Sequence, residues 1–213
     1  MNDALNAVRF DAQGYESQRD HDLVRVWHTP AGDELGLSYH PLAPDIGARL
    51  EDLAGLRRYY RAIAEAAGLG VIEIETLTID RCRAVRALFK APQEPQGRTY
   101  LGSLTLPFRD FSYVFKVHCA EVGATGLRDS LVFAKMMMEG SVSLSPEGDA
   151  KGWLVDPYEP DLVGPMTRNQ SEHERFDTMF PTHPLSRARA TLAHLAATVR
   201  VDESVRRAPP FGD

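Results

Sequence analysis

Apolar and polar positions alternate most regularly between Val71 and Cys119, and the alternation predicts four β-strands in two hairpins. In the second hairpin, residues 100–106 and 111–119 flank Pro107-Phe108-Arg109-Asp110, whose proline and aspartate are turn residues. With those four as the loop, Leu106 opposes Phe111, Leu104 opposes Tyr113, Gly102 opposes Phe115 and Tyr100 opposes Val117, and Cys119 extends this apolar face. The other face pairs Thr105 with Ser112, Ser103 with Val114, Leu101 with Lys116 and Thr99 with His118, and is mostly polar. In the first hairpin a two-residue turn at Ile79-Asp80 sets Ile74 against Val85 and Ile72 against Ala87, with Phe89 continuing that side. Glu73 then faces Arg86, with Glu75 beside it. Ile79-Asp80 is not a preferred tight-turn pair, which leaves a longer turn open.

The rest of the chain adds a third hairpin and three helices. Residues 23–28 and 34–40 read as strands around Pro30-Ala31-Gly32-Asp33, and Ala7-Val8-Arg9-Phe10 reads as a short strand in a polar N-terminal segment, 1–20. A helix over about 47–67 follows from Leu50, Leu53, Leu56, Tyr60, Ile63 and Ala67, with Asp45 as its N-cap and Gly68 just past its end. A second, 126–138, carries the stripe Leu127, Leu131, Ala134 and Met138. A third, 184–199, starts at Pro184 and presents Leu185, Ala188, Leu192, Leu195 and Val199. Between them, residues 140–183 lack periodicity but hold Trp153, Leu154, Tyr158, Leu162, Met166, Phe176, Met179 and Phe180, too many large apolar groups for a linker. This segment is expected to be a strap docked through those anchors. The fold class is α+β, a central antiparallel sheet packed by helices, in one domain over 21–200 with a tail at 201–213.

Composition narrows the picture only slightly. The chain has 213 residues and a net charge of −6, which argues against a general nucleic-acid binder. The one basic stretch, Arg187, Arg189, Arg200, Arg206 and Arg207, reads as a solvated helix face and tail. Cys82 and Cys119 belong to no CxxC pair and read as small buried hydrophobes. The first five residues lack a basic leader, and no run approaches the roughly 18 apolar residues of a membrane span. A cytoplasmic location is the simplest expectation.

Candidate chemistry is sparse. Gly123-Ala-Thr-Gly126 precedes a helix, but the lysine and serine or threonine of a phosphate loop are missing. His173, Glu174 and His183, with Glu172 and Asp177, match no metal-site spacing. The predicted register gathers titratable groups on one sheet face: Lys116 and His118 with Glu73, Glu75 and Arg86. Such a surface suits general acid–base work, although a solvated sheet face is the plainer reading. Met136 and Met137 lie in a run of three methionines that fills the core or offers an adaptable surface to a partner. No catalytic residue, metal or cofactor is assigned.

The order of elements resembles the α/β/α sandwich of PsbP-like proteins, a superfamily that includes the DcrB-like proteins. Residues 23–39, the helix 50–67, the strands 71–119 and the helix 185–199 carry the likeness. The resemblance implies a non-catalytic role: binding, assembly or chaperone-like support of another protein. The leading expectation is therefore a protein-binding or adaptor protein. Its alternatives are a small-molecule binder or unfamiliar enzyme on the polar sheet face, and an immunity-like protein that sequesters another.

Overall fold

The computed structural model describes residues 4–21, 23–164 and 166–212. The first three residues, part of the stretch read for a leader, lie outside the described residues. The centre is a seven-stranded antiparallel sheet. In chain order, with β1 (Val8–Arg9) outside it, its strands are β2 (Glu16–His21), β3 (Val24–His28), β4 (Glu34–His40), β5 (Gly70–Ile79), β6 (Cys82–Pro92), β7 (Arg98–Pro107) and β8 (Ser112–Ala120). Their spatial order is β2-β3-β4-β8-β7-β6-β5. Two meanders therefore meet where β4 pairs with β8.

Both central hairpins turn one residue later than the sequence pattern predicts, which shifts the cross-strand pairing by two. Leu106 pairs with Tyr113 and Leu104 with Phe115, and Ile79 pairs with Cys82 and Glu75 with Arg86. An even slip keeps every side chain on its face, so the buried set Tyr100, Leu104, Leu106, Tyr113, Phe115, Val117 and Cys119 stands as expected. The first hairpin closes through Asp80 and Arg81, both at positive φ, as a tight hairpin turn with matching twist requires.

Two helices cover opposite sides of the sheet. The first, α1 (Leu53–Ala66), is capped by Asp52, which accepts from the Gly55 amide at 2.8 Å. Asp45 plays no part in that cap; residues 45–52 run beside the helix, and the Tyr59 hydroxyl donates to the Asp45 carbonyl. Leu56 and Ala64 pack on Ile74, Val85 and Ala87, whereas Ile63 and Ala67 are exposed. The helix α3 (Pro184–Thr198) covers the other side. Its predicted stripe is fully buried, against Tyr100, Leu104, Phe115 and Val117. Gly102 permits the approach, since a Cβ there would lie 2.9 Å from Leu192 Cδ1. The β5–β6 hairpin is thus apolar on both faces. A bulge between Val71 and Glu73 sends Ile72 under α3 while Ile74 stays under α1.

The segments expected as appendages are folded on. Glu16–His21, six exposed polar residues, forms the β2 edge, and β1 pairs with the two-residue strand Arg200–Val201. After the short helix α4 (Glu203–Arg206), Pro210 bridges to Phe108 and Phe211 packs on the core cluster beneath α1.

Candidate functional site

Glu73, Glu75, Arg86, Lys116 and His118, expected on one surface, are divided by the sheet. Arg86 pairs with Leu104, and Leu104 with Phe115, so Arg86 shares the α3 side with Phe115. Glu75 pairs with Arg86 at 2.6 Å and Glu73 lies on the same side. Lys116 and His118 alternate with Phe115, point the other way and are exposed. The misplacement has a physical source. Ile74, Val85 and Ala87 lie beneath α1, on the side opposite Tyr100 and Leu104, so Arg86, which alternates with Val85 and Ala87, shares the side of Tyr100. Among the described residues, Lys116 and His118 stand exposed on the face of β8 turned away from α3.

The charged residues that do converge come largely from the strap. Lys90, in β6, donates from Nζ to Glu172 at 2.6 Å and to the Thr167 carbonyl at 2.9 Å. Lys90 and Glu172 are 1% and 0% exposed. Burial pushes the Lys90 amine down against the opposing pull of Glu172. Glu172 sits three residues after Asn169 and closes a capping box on the single 3-10 turn Gln170–Glu172. Tyr100 donates to its other oxygen at 3.4 Å, and burial raises the phenol's pKa well above its ordinary value.

A second knot lies alongside. Arg128, buried in the helix α2 (Leu127–Met138), donates to the carbonyls of Ser171 and His173, to Ser186 Oγ and to Asp177. Arg189 of α3 bridges Glu73 at 2.6 Å and Asp177 at 3.0 Å, and also bonds the Glu172 carbonyl. This knot borders a hollow of about 440 Å³. Glu73 and Asp177 are held by Arg128 and Arg189, and Ser186 accepts from Arg128 and donates to Asp177 at 3.1 Å. The arrangement holds the strap, sheet, α2 and α3 together.

The other singled-out groups are also absorbed internally. The N-terminus of α2 is occupied from within, because Glu121 accepts from the Gly126 amide at 3.2 Å and the Arg98 amide at 2.9 Å. Burial raises the Glu121 carboxyl, but hydrogen bonds from His183 and those two amides outweigh it and hold the group low. His173 and His183 accept from backbone amides as caps. Among the described residues, no three His, Cys, Asp or Glu side chains are arranged to hold a metal. Arg187 pairs with Asp33, and Arg206 with Asp80 and Glu203. Cys82 and Cys119 are both free and buried, and burial raises both thiols.

The helix α2 differs most from its expected orientation. Its buried face is Arg128, Val132 and Met136, packed on Val142 and Phe176 of the strap. Met136 is therefore inaccessible and Met137 half-buried. The stripe read as core points outward, with Leu127 55%, Leu131 51% and Met138 84% exposed. Val122, at 88%, stands just before the helix. A hollow of about 260 Å³ adjoins Leu127, walled also by Val122, Met179, Phe180 and Pro181. Twelve large apolar side chains are exposed among the described residues, and five of them gather here, which makes this a patch rather than scatter.

No protein-family model matches the chain, and no curated protein does. Among solved structures, one from Bacteroides thetaiotaomicron aligns over 52% of this chain and 37% of its own length, at 8% identity and a TM-score of 0.32. A protein of unknown function from Pseudomonas aeruginosa aligns over 62% of this chain and 96% of its own, at 14% identity and a TM-score of 0.35. At these scores neither likeness bears on function. No helix among the described residues is long and apolar enough to cross a membrane.

Proposed function

We propose that this chain is a non-catalytic protein-binding module, of adaptor or chaperone-like type, whose binding surface is the outer face of α2 with the hollow beside it. One observation carries the reading: the apolar stripe of α2 faces solvent while its charged residues Arg128 and Asp129 turn inward to the strap. Exposed patches of this kind, beside a groove, are what helix-in-groove recognition uses. The PsbP-like resemblance belongs to the same proposal, supported by the helices on both sides of an antiparallel sheet. The two free cysteines support a reducing compartment such as the cytoplasm. The test is a photo-crosslinking residue at position 131, with position 118 on the polar sheet face as control, in native cells. A crosslinked protein product specific to 131 is expected. Equal yields at both positions overturn the reading.

A second reading, small-molecule binding, is favoured by a cavity of about 350 Å³ between α1 and the strap. Leu69, Val71, Leu162 and Met166 wall it, and the Arg61–Asp156 pair stands at its side. Pockets with apolar walls and few polar groups are the usual form of ligand sites. A thermal-shift screen with small apolar carboxylic acids tests it, because a native-state ligand raises apparent stability. An unchanged melting temperature across the series counts against this reading.

A further inference from the structure

Two histidines bracket the end of the strap, and each caps a helix through its Nδ1. His173 accepts from the Arg175 amide at 3.2 Å, at the head of the 3-10 helix Glu174–Met179. His183 accepts from the Leu185 amide at 3.2 Å, at the head of α3. A backbone amide can only donate, so both Nδ1 atoms are bare and each ring carries its proton on Nε2. An imidazolium has no acceptor nitrogen, and protonation therefore breaks either cap. We propose that His173 is an acid-sensitive catch, whose protonation makes residues 174–180 open more often from the apolar cluster they cover, about a hinge at His183.

The two ends differ in what surrounds the ring. At His173, burial and then the guanidinium groups of Arg168, Arg175 and Arg189 hold the imidazole below its ordinary range. Glu174 pulls the other way from an exposed position. In the hollow that His173 borders, Glu73 of β5 and Asp177 are already held by Arg189 and Arg128, and Arg86 of β6 adds a further positive charge. Arg128 of α2 also bonds the His173 carbonyl. A proton on this ring thus meets repulsion as well as losing the cap. At His183, Nε2 faces the Glu121 carboxylate at the end of β8 at 3.4 Å, and Tyr100 of β7 meets the ring edge-on. Arg187 and Arg128, which border the same hollow, are paired with Asp33 and Asp177. An imidazolium here keeps a counter-charge when its cap is lost, and Pro184 presets the first turn of α3. The tail of the segment therefore stays in place when the head lets go.

The catch closes over an apolar surface. Phe176 is buried and packs with Val132, Met136 and Val142. Opening of 174–180 uncovers this inner face of α2, whatever occupies the outer one. Asp177 also ties the segment to Arg128 and Arg189, so the catch sets how often it opens rather than holding it unaided. The folded His173 imidazole resists its proton more than the unfolded one does. The stability it contributes is fully present above the unfolded value of about 6.5 and is lost as pH falls through the folded value.

The test is amide hydrogen exchange of the full chain, followed by mass spectrometry at about pH 7.5 and about pH 5.5, with labelling times corrected for the pH dependence of intrinsic exchange. Protection over residues 174–180 is expected to fall about tenfold in acid, the worth of one cap with the added repulsion, while β7 and β8 keep theirs. His173→Asn replaces the ring with a strong cap that does not titrate, and is expected to hold its protection at both pH values. An unchanged circular dichroism spectrum verifies that this variant is folded. Heteronuclear NMR of the histidine rings checks the basis without any variant, and a bare Nδ1 at His173 is expected at neutral pH. Protection over 174–180 that does not change with pH, an equal loss in folded His173→Asn, or a proton on Nδ1 in the neutral ring overturns the proposal. So does an equal loss in β7 and β8, which would make the effect global rather than a local opening.

Discussion

Lys90 and Glu172 meet at 2.6 Å with neither side chain reaching solvent, and 82 residues of chain separate them. The pair fixes the strap to the sheet. Removing one member leaves the other buried without its counter-charge, which costs about 3–5 kcal/mol, while replacing both with apolar groups costs far less. Lys90→Met and Glu172→Leu are each expected to destabilise by that amount, and the double variant to recover most of it. Urea unfolding of the four proteins in a double-mutant cycle measures this. Additive losses would show that the two charges are solvated independently of one another.

The fold was legible in the sequence where burial imposes a strict period. The α3 stripe and the inward faces of β7 and β8 follow from periodicity alone, and a two-residue slip in the pairing of β7 with β8 left their faces unchanged. Legibility failed where partners lie far along the chain. Periodicity announces a stripe on α2 without saying which face is buried, and here the strap carbonyls of Ser171 and His173 claim the arginine face. The β2 strand has no apolar side and so no pattern to read. The side that Glu73 and Arg86 share depends on the parity of the connection from β6 to β7, which turn chemistry does not encode. The lock itself left two faint marks: a lone lysine in the apolar run Ala-Leu-Phe-Lys-Ala, and the capping-box spacing from Asn169 to Glu172.

The β5–β6 turn carries strain that can be relieved. Asp80 and Arg81 adopt φ of 43° and 71°, a region where a side chain costs about 1–2 kcal/mol. Asp80 is retained for cause, because its carboxylate accepts from the Val201 amide and from Arg206. Arg81 makes no comparable contact. Arg81→Gly is expected to stabilise the protein by about 0.5–1 kcal/mol, once the greater freedom of glycine in the unfolded chain is offset. Asp80→Gly is expected to destabilise. Thermal unfolding of the two variants gives opposite signs if the turn geometry is as described, and a lower melting temperature for Arg81→Gly contradicts it.

Acid should loosen the α1 end of the strap. Burial pushes the Asp156 carboxyl up, but bidentate bonds from Arg61 at 2.7 and 2.8 Å, and the Tyr158 and Glu159 amides, outweigh it and hold the group below the ordinary range. Its folded pKa is therefore below its unfolded value of about 3.9. The unfolded chain binds the extra proton, so this stability is fully present above that value and is lost as pH falls through the folded pKa. Asp156→Asn is expected to lose about 1.5–3 kcal/mol at neutral pH, the worth of hydrogen bonds to a charged group. The gap from the parent should close as pH falls below about 4. Urea midpoints across an acidic pH series follow it, and a gap independent of pH would exclude Asp156 as the titrating group.

Two glycines separate the strap from the core as mechanical units. A Cβ on Gly102 would meet the side chains of Val117 and Leu192 at 2.8 and 2.9 Å, groups that can shift by rotation. A Cβ on Gly70 would lie 2.1 Å from the Met166 carbonyl oxygen, and a backbone atom yields only if the strap moves. Overpacking of either kind costs about 1–3 kcal/mol. The form of the damage should differ. Gly102→Ala is expected to lower global stability while leaving the strap docked. Gly70→Ala is expected to displace the strap, weaken the nearby bond from Lys90 to the Thr167 carbonyl, and expose residues 140–183 to protease under native conditions. Limited proteolysis beside urea unfolding separates the two effects. Equal cleavage of the strap in both variants would mean that it undocks only when the whole domain unfolds.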